Sequence, residues 1–391
     1  MSLLSHLTIL SLEQATALPF LTQRLARDGM RVIRVEPPGR GDPNRYIGRP
    51  THEVGMNIYF LPNNCGKQAI TLNLAEPRGQ ALLCELIAKL PVDIFATNNR
   101  PSSYAKLGIA YETLRAIKSD LIWLGISGFG PGYDEAAYDP VIQARAGWMD
   151  LTGEPDSFPQ VFGLPMVDLG AAEHAYGAVM KALYKRAISG EGSRLDISMF
   201  HSAVSWMVNP LMLTRLGEQI TRRGNTHQFF GPVAVFPTRD GFVYIAIGND
   251  KQWANLMQLP AFQSLARPEY EPNAGRMADL HSLHSQIAAI THTLHSAELI
   301  QTLQQIGVPV AQVNTLQDVL NEPILRDSFS HAHNTDMSLD LMLPPTPDVS
   351  DPGLDTLTFP PRLGEHNQAI YGELLRYTNT QLNDLHMQGI I

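Results

Sequence analysis

Cysteine is scarce, since the 391 residues include only Cys65 and Cys84. Two thiols cannot build a disulfide framework, and neither has a Cys or His neighbour at metal-ligand spacing. A reduced, cytoplasmic setting without a bound metal is expected. Long apolar runs are also missing, and no stretch approaches the roughly 18 residues that a membrane span requires. The opening MSLLSHLTILSLEQATALPF lacks a basic n-region and a small-residue cleavage pattern, so it reads as the first strand of a domain. Positive charge is not in surplus either. The formal net charge of -9 excludes broad nucleic-acid binding, because phosphate backbones select basic faces. Neither a membrane nor a nucleic acid is expected as a partner.

Hydrophobic residues make up 44% of the chain and charged residues 17%, with a mean hydropathy of -0.10. These values describe a globular chain, long enough for two or three domains of roughly 100–200 residues. The charge is uneven. Residues 1–50 hold seven arginines against four acids, whereas residues 330–391 hold two against eight. Arginine forks pair with phosphate or carboxylate, so the basic start suits a small phosphorylated ligand. A solvated helix face explains the same arginines.

Apolar spacing reads as a strand over Leu7–Leu12, a helix over Ala17–Arg27 and a strand over Met30–Val35 that stops at Pro37-Pro38-Gly39. The alternation continues with strands at Ala69–Leu74, Val92–Thr97 and Leu121–Ser127, and with helices at Gly79–Leu90 and Tyr111–Lys118. Such alternation indicates an α/β fold with a parallel sheet covered on both faces, whose ligands bind at the carboxyl ends of the strands. Residues 168–186 form the clearest helix, with Asp168 at the N-cap and Lys181, Lys185 and Arg186 towards the end. A half-buried strand, Arg194–Met199, follows.

Past residue 210 the texture changes to a strand pair, Ala234–Pro237 and Phe242–Ile247, and then to mainly helical residues 250–326. This reads as a smaller α+β domain at 211–329. The large α/β domain at 1–210 would be completed by 330–391, a proline-rich extended connector and a final helix at Gln368–Arg376.

Several motifs lead nowhere. His281, His284, His292 and His295 repeat an i, i+3 spacing without a Cys or acidic ligand set, as a polar helix face does. Arg40-Gly41-Asp42 is explained by a turn after a strand. There is no Gly-x-Ser-x-Gly elbow. Gly128-Phe129-Gly130-Pro131-Gly132 follows a strand but lacks the third glycine of a dinucleotide fingerprint and the lysine of a P-loop. It reads as a mobile loop through which backbone approaches a ligand. Asp168 stays open between a helix cap and an ionised nucleophile at a helix N-terminus.

Taken in order, the motifs resemble the class III CoA-transferase family, also called the formyl-CoA transferase and carnitine CoA-transferase family. They begin with Pro19-x5-Leu25-Ala26-x-Asp28-Gly29-x2-Val32-Ile33-x-Val35-Glu36-x-Pro38-Gly39-x-Gly41-Asp42 and Asn64-x-Gly66-Lys67. Asn99-Arg100-Pro101-Ser102, Ile126-Ser127-Gly128-Phe129-Gly130 and Tyr138-Asp139-x2-Ile142-Gln143-Ala144 follow. Asp168, Gly190-x-Gly192-x3-Asp196-x-Ser198-Met199, Asn249-Asp250-Lys251-Gln252-Trp253 and Leu363-Gly364-Glu365-His366 extend the likeness over nearly the whole chain.

The resemblance implies a nucleotide-binding-like large domain, a smaller domain and an interlocked homodimer, with acyl-CoA and carboxylic acids as substrates and no permanently bound cofactor. It places the nucleophile at Asp168 with Tyr138 nearby, and CoA against Asn99, Arg100, Lys106 and Leu72. Arg100 and Lys106 match the family only as basic residues. Asp168 would carry CoA as an aspartyl thioester, with oxyanion donors from the loop of Gly128, Gly130 and Gly132 or from the helix start after Asp168.

The chain departs from formyl-CoA transferases at Pro37 and Thr16, where they have arginine and glutamine, and this points away from oxalate or formate. A short dicarboxylate of the succinyl-, malyl- or mesaconyl-CoA type is expected, with transfer between molecules or within one. An α-methylacyl-CoA racemase is the alternative, but its histidine is replaced by Tyr138. A CoA-binding protein without turnover is a third reading.

Overall fold

The computed structural model describes residues 3–391. The chain divides into two compact units. The first comprises the residues up to Ala146 together with Phe162–Met212 and Leu325–Ile391, and the second comprises Gly147–Val161 and Leu213–Ile324. Gly147–Val161, which the sequence reading gave to the large domain, thus groups with the second unit.

The elements run β1 (Thr8–Leu12), α1 (Ala17–Arg27), β2 (Arg31–Glu36), β3 (Lys67–Thr71), α2 (Pro77–Lys89), β4 (Ile94–Thr97), α3 (Tyr111–Ile117) and β5 (Ile122–Ser127). They continue through α4 (Asp139–Arg145), α5 (Trp148–Leu151), α6 (Met166–Ser189), β6 (Ser193–Ser198), α7 (Met199–Ser205) and α8 (Val208–Arg215). The six strands form one parallel sheet in the order β3-β2-β1-β4-β5-β6. One set of side chains, including Leu10, Ile33, Val35, Phe95 and Trp123, packs with Leu82, Leu83 and Leu86 of α2. The alternate residues Ile9, Val32, Ile94 and Ile122 are equally buried, so both faces are covered. Parallel strands buried in this way read as near-continuous apolar runs, which is why the sequence resolved them.

The C-terminal segment closes over the same unit. Tyr371 donates its hydroxyl hydrogen to the Thr71 carbonyl at 2.9 Å, and Ile370, Leu382 and Leu385 join the α2 core. Two expectations fail here. The stretch read as an extended connector contains an antiparallel hairpin, Ser330–Asn334 with Leu339–Leu343. The final helix read at Gln368–Arg376 is a π-type turn over Gln368–Leu374 followed by a separate helix, Asn379–Met387, which Thr378 and Gln381 open with a capping box.

In the second unit, Val233–Pro237, Phe242–Ala246 and Val310–Gln312 form a three-stranded antiparallel sheet. Its core joins Phe236, Val243 and Ile245 to Trp253, Leu283 and Leu299 of the helices. Among the described residues no helix is long and apolar enough to cross a membrane.

Beneath the carboxyl ends of β1 and β2, and reached by Lys67 from the start of β3, lies a buried ionic network. Arg34 faces Glu13 at 3.9 Å, Glu36 at 3.2 Å and Asp42 at 3.1 Å, with no exposed side-chain surface on any of the four. Arg45 reaches Glu36 at 2.7 Å, and Lys67 reaches Glu13 at 2.7 Å. Burial alone would raise the Glu36 pKa, but Arg34 and Arg45 hold it down at about 2. Gly41, at φ 70°, completes the turn above, where a Cβ would meet a Glu36 carboxylate oxygen at 2.7 Å. The N-terminal arginines were read as ligand-binding or solvated. Arg34 and Arg45 are neither, because three carboxylates on neighbouring segments neutralise them inside the fold.

Removing one partner of such a network leaves charges buried without compensation. Arg34→Leu is therefore expected to lose about 3–5 kcal/mol of stability in urea unfolding. A loss below about 1 kcal/mol, the value of a surface pair, would show that the network does not act as a unit.

Candidate active site

In a sheet of this order the chain reverses direction between β1 and β4, and the loops leaving those two strands part to form a crevice. Here the crevice holds a cavity of about 470 Å³ in the first unit. Gln14–Ala17 after β1, Asn98–Ser103 after β4, Ile126–Gly128 at the end of β5, Tyr133–Asp139, Asp168 and Met199 line it. A second cavity of about 250 Å³ shares Gln14 and Asn99 with the first, and reaches Leu72, Leu74, Val35 and Leu107. The two loops are tied together across the crevice. The Gln14 amide donates to Asn98 Oδ1 at 3.1 Å, and Asn98 Nδ2 donates back to the Gln14 carbonyl at 2.8 Å.

Of the residues expected from the sequence, the first cavity brings together Asp168, Tyr138, Asn99, Arg100 and Gly128. Leu72 lies in the second cavity with Asn99. Lys106, Gly130 and Gly132 line neither. Lys106 instead offers its carbonyl to Gln80 Nε2 at 2.9 Å. Gly128 is required by close approach, since a Cβ there would lie 2.1 Å from the Ala137 Cβ. The loop returns over that glycine and is held by Ser102, which donates to Asp134 Oδ1 at 2.6 Å, and by Arg145, which pairs with Glu135 and stacks on Phe129.

Asp168 is not the N-cap of its helix. Pro165 occupies that position without a side-chain cap, and Asp168 is the third residue of α6. The cap comes from another helix. Asp139 of α4, 5% exposed, accepts the Val167 amide at 2.6 Å and the Asp168 amide at 3.1 Å on Oδ2. Its Oδ1 accepts Gln143 Nε2 at 2.5 Å, and Gln143 Oε1 takes the Phe162 amide at 2.9 Å. The Met166 and Leu169 amides donate to the Leu164 and Pro165 carbonyls at 2.7 and 3.0 Å. The start of the helix therefore has its first four amides engaged. Its role as an oxyanion donor, one of the two expected from the sequence, is lost for that reason.

Four carboxylates line the cavity, and three have partners: Asp134 with Ser102, Glu135 with Arg145, and Asp139 with the amides of α6. Among the described residues the Asp168 side chain has none. Burial first, and then the charge of Asp139, push its pKa up to about 7. Full ionisation near neutral pH, expected for a carboxylate at a helix N-terminus, does not hold, because burial and the neighbouring Asp139 charge oppose the anion and the nearby amides are already taken by Asp139.

Sequence reasoning missed Gln14, Asn98 and the capping role of Asp139. A polar residue directly after each strand was visible, but the adjacency of β1 and β4 was not.

A parallel sheet with this crossing point, and an unpartnered carboxylate in the crevice, define a doubly wound α/β protein with a free acidic side chain where such folds bind ligands. The profile of CoA-transferase family III matches residues 4–367, and the chain belongs to that family. Its activity is that of a CoA-transferase, with CoA thioesters as substrates. A succinyl-CoA:glutarate CoA-transferase of Mus musculus is 30% identical across 99% of this chain and 90% of its own length. A succinyl-CoA–D-citramalate CoA-transferase of Chloroflexus aurantiacus is 32% identical across 99% of this chain and 98% of its own. The crystal structure of a CaiB/BaiF family protein from Brucella suis superposes with a TM-score of 0.84 at 31% identity, covering 95% of this chain and 99% of that one.

The Asp168 carboxyl carbon is expected to titrate with a midpoint at about 7 in 13C spectra of aspartate-labelled protein, and the signal should vanish in Asp168→Asn. A midpoint near the ordinary value of about 4 would refute the account of its surroundings.

Proposed function

We propose that the protein moves CoA between dicarboxylic acids through an aspartyl-CoA thioester on Asp168. The observation that carries this is the free Asp168 carboxylate among three engaged ones in the cavity. In its ionised form it attacks the thioester carbonyl. The carbon–sulfur bond breaks, CoA leaves as thiolate, and an acyl-aspartyl anhydride forms. A thiol with a free pKa of about 8.5 is an adequate leaving group. The thiolate then attacks the aspartyl carbonyl and releases the donor acid. An acceptor carboxylate reverses the sequence, and Asp168 returns as carboxylate. No proton is gained or lost over the cycle.

Gly128, at the cavity wall, is the oxyanion candidate that remains of the three loop glycines. Asn99 and Leu72 would hold CoA along the two adjoining cavities, and Arg100 would meet its phosphates or the distal carboxylate of the acid. The relatives named for glutarate and D-citramalate both use succinyl-CoA, which favours a succinyl-type donor and a short dicarboxylate acceptor.

A homodimer with interlocked chains belongs to the same proposal. Trp206, Val208, Leu211 and Met212 of the first unit are 48–72% exposed in a single copy, a face that a second copy would cover. The cytoplasmic setting rests on the two free thiols, Cys65 and Cys84.

With a panel of acyl-CoAs and dicarboxylates, mass spectrometry should find a CoA adduct on Asp168. Asp168→Ala should lower exchange by at least about a thousandfold, in line with the loss of a covalent nucleophile, and Tyr138→Phe should lower it far less. In deuterated water the product should carry no deuterium at the α carbon. A racemase needs a base there, and tyrosine, with a free pKa of about 10, is poorly suited to the task. Deuterium entering at the rate of turnover would overturn the transferase reading. Light scattering over a wide dilution range should give a constant dimer mass, and a concentration-dependent monomer would sink the interlocked assembly.

A further inference from the structure

We propose that Asp139 is a positioning residue for Asp168, acting through the two backbone amides it holds and through its fixed negative charge. The inference rests on Asp168 being the nucleophile. It concerns how that carboxylate is set in place and when it is ionised.

The geometry is specific. The start of α6 has no cap of its own, since Pro165 provides no side-chain acceptor. Phe162–Pro165 approaches the helix as non-helical chain. What holds it is a relay from α4, with Gln143 taking the Phe162 amide at 2.9 Å and Asp139 taking the Val167 and Asp168 amides at 2.6 and 3.1 Å. Gln143 is fully buried and Asp139 nearly so. The Asp168 backbone is thus pinned at its own amide, and a carboxylate only two rotatable bonds from a pinned Cα has a short reach.

The same contact places a second negative charge beside the reacting one. Most other charged groups near the site have partners elsewhere. Asp134 is bound by Ser102, Glu135 by Arg145 of α4, Arg24 of α1 by Glu173, and His201 of α7 contacts Ser198. Tyr138 and Arg100 also line the cavity. Of these groups Asp139 is the one whose charge acts on Asp168, as the second cause, after burial, of its raised pKa. A carboxylate held near its point of ionisation at neutral pH is more basic, hence more nucleophilic, than an ordinary aspartate.

The test is the pH profile of CoA exchange for wild type, Asp139→Asn and Asp139→Ala, with circular dichroism and thermal melts to establish folding. Asp139→Asn removes the charge and keeps the shape, so the acid limb of kcat should move down by about one pH unit. Asp139→Ala should move the limb similarly and also lower the plateau at least about tenfold, because the helix start loses its cap. The double variant Asp139→Asn/Gln143→Glu reverses the polarity of the relay, keeps an acceptor for the Phe162 amide and carries the charge one link farther away. It should show a smaller shift in the same direction, which keeps the charge testable if the single variant folds poorly.

An unmoved acid limb in the folded Asn variants would overturn the role of the charge. A wild-type plateau in Asp139→Ala would overturn the role of the amides. Failure of the underlying reading is recognised separately, as the absence of a CoA adduct on Asp168 in the wild-type protein, and that result would overturn both.

Discussion

Arg34 is the constraint on which much of the first unit turns. Its guanidinium lies in a low-dielectric interior and is tolerable only because Glu13, Glu36 and Asp42 come from three different segments to meet it. Glu13 follows β1, Glu36 ends β2, and Asp42 sits in the turn beyond, so satisfying one cation fixes three chain directions at the carboxyl end of the sheet. Lys67 of β3 extends the arrangement to a third strand through Glu13, and also donates to the Pro19 carbonyl in α1 at 2.9 Å. The floor of the crevice is in this sense an electrostatic solution before it is a binding surface.

The consequence reaches the cavities through Ala15. This residue has φ 61°, a left-handed conformation that a side chain disfavours. Asp42 Oδ1 accepts its amide at 3.3 Å, and Asn44 Nδ2 donates to its carbonyl at 2.9 Å. Asp42 thus links the buried arginine to the turn between β1 and α1, and that turn carries Gln14 into both cavities. Strain at Ala15 persists because neighbours on both sides of the peptide hold it.

Asp168, the nucleophile in the proposed reaction, is arranged by a related device. A helix usually satisfies its first amides with its own N-cap side chain or with water. Here α4 supplies the acceptor, so α4 and α6 are fixed relative to one another by the same carboxylate that sets the electrostatics of Asp168. The Asp168 side chain is left free, but in surroundings that oppose its charge. The first property follows from a residue 29 positions away in sequence, and the second from burial first and from that residue's charge second.

The sequence determined by itself the features that depend on local periodicity. The α1 boundaries, Ala17–Arg27, were legible because Leu18, Leu21 and Leu25 fall on one helical face, and β2 and β5 because their apolar runs are short and end in proline or glycine. The order of short motifs from Pro19 to His366 was enough for the family. The tertiary structure alone decided that β1 lies beside β4, that Arg34 and Arg45 are core rather than surface, and that Asp139 caps α6 while Asp168 does not. Periodicity reports which residues face an interior, but not which interior neighbour they meet. An arginine's environment, or a carboxylate's choice between capping and reacting, is set by groups that only the packed chain brings within hydrogen-bonding reach.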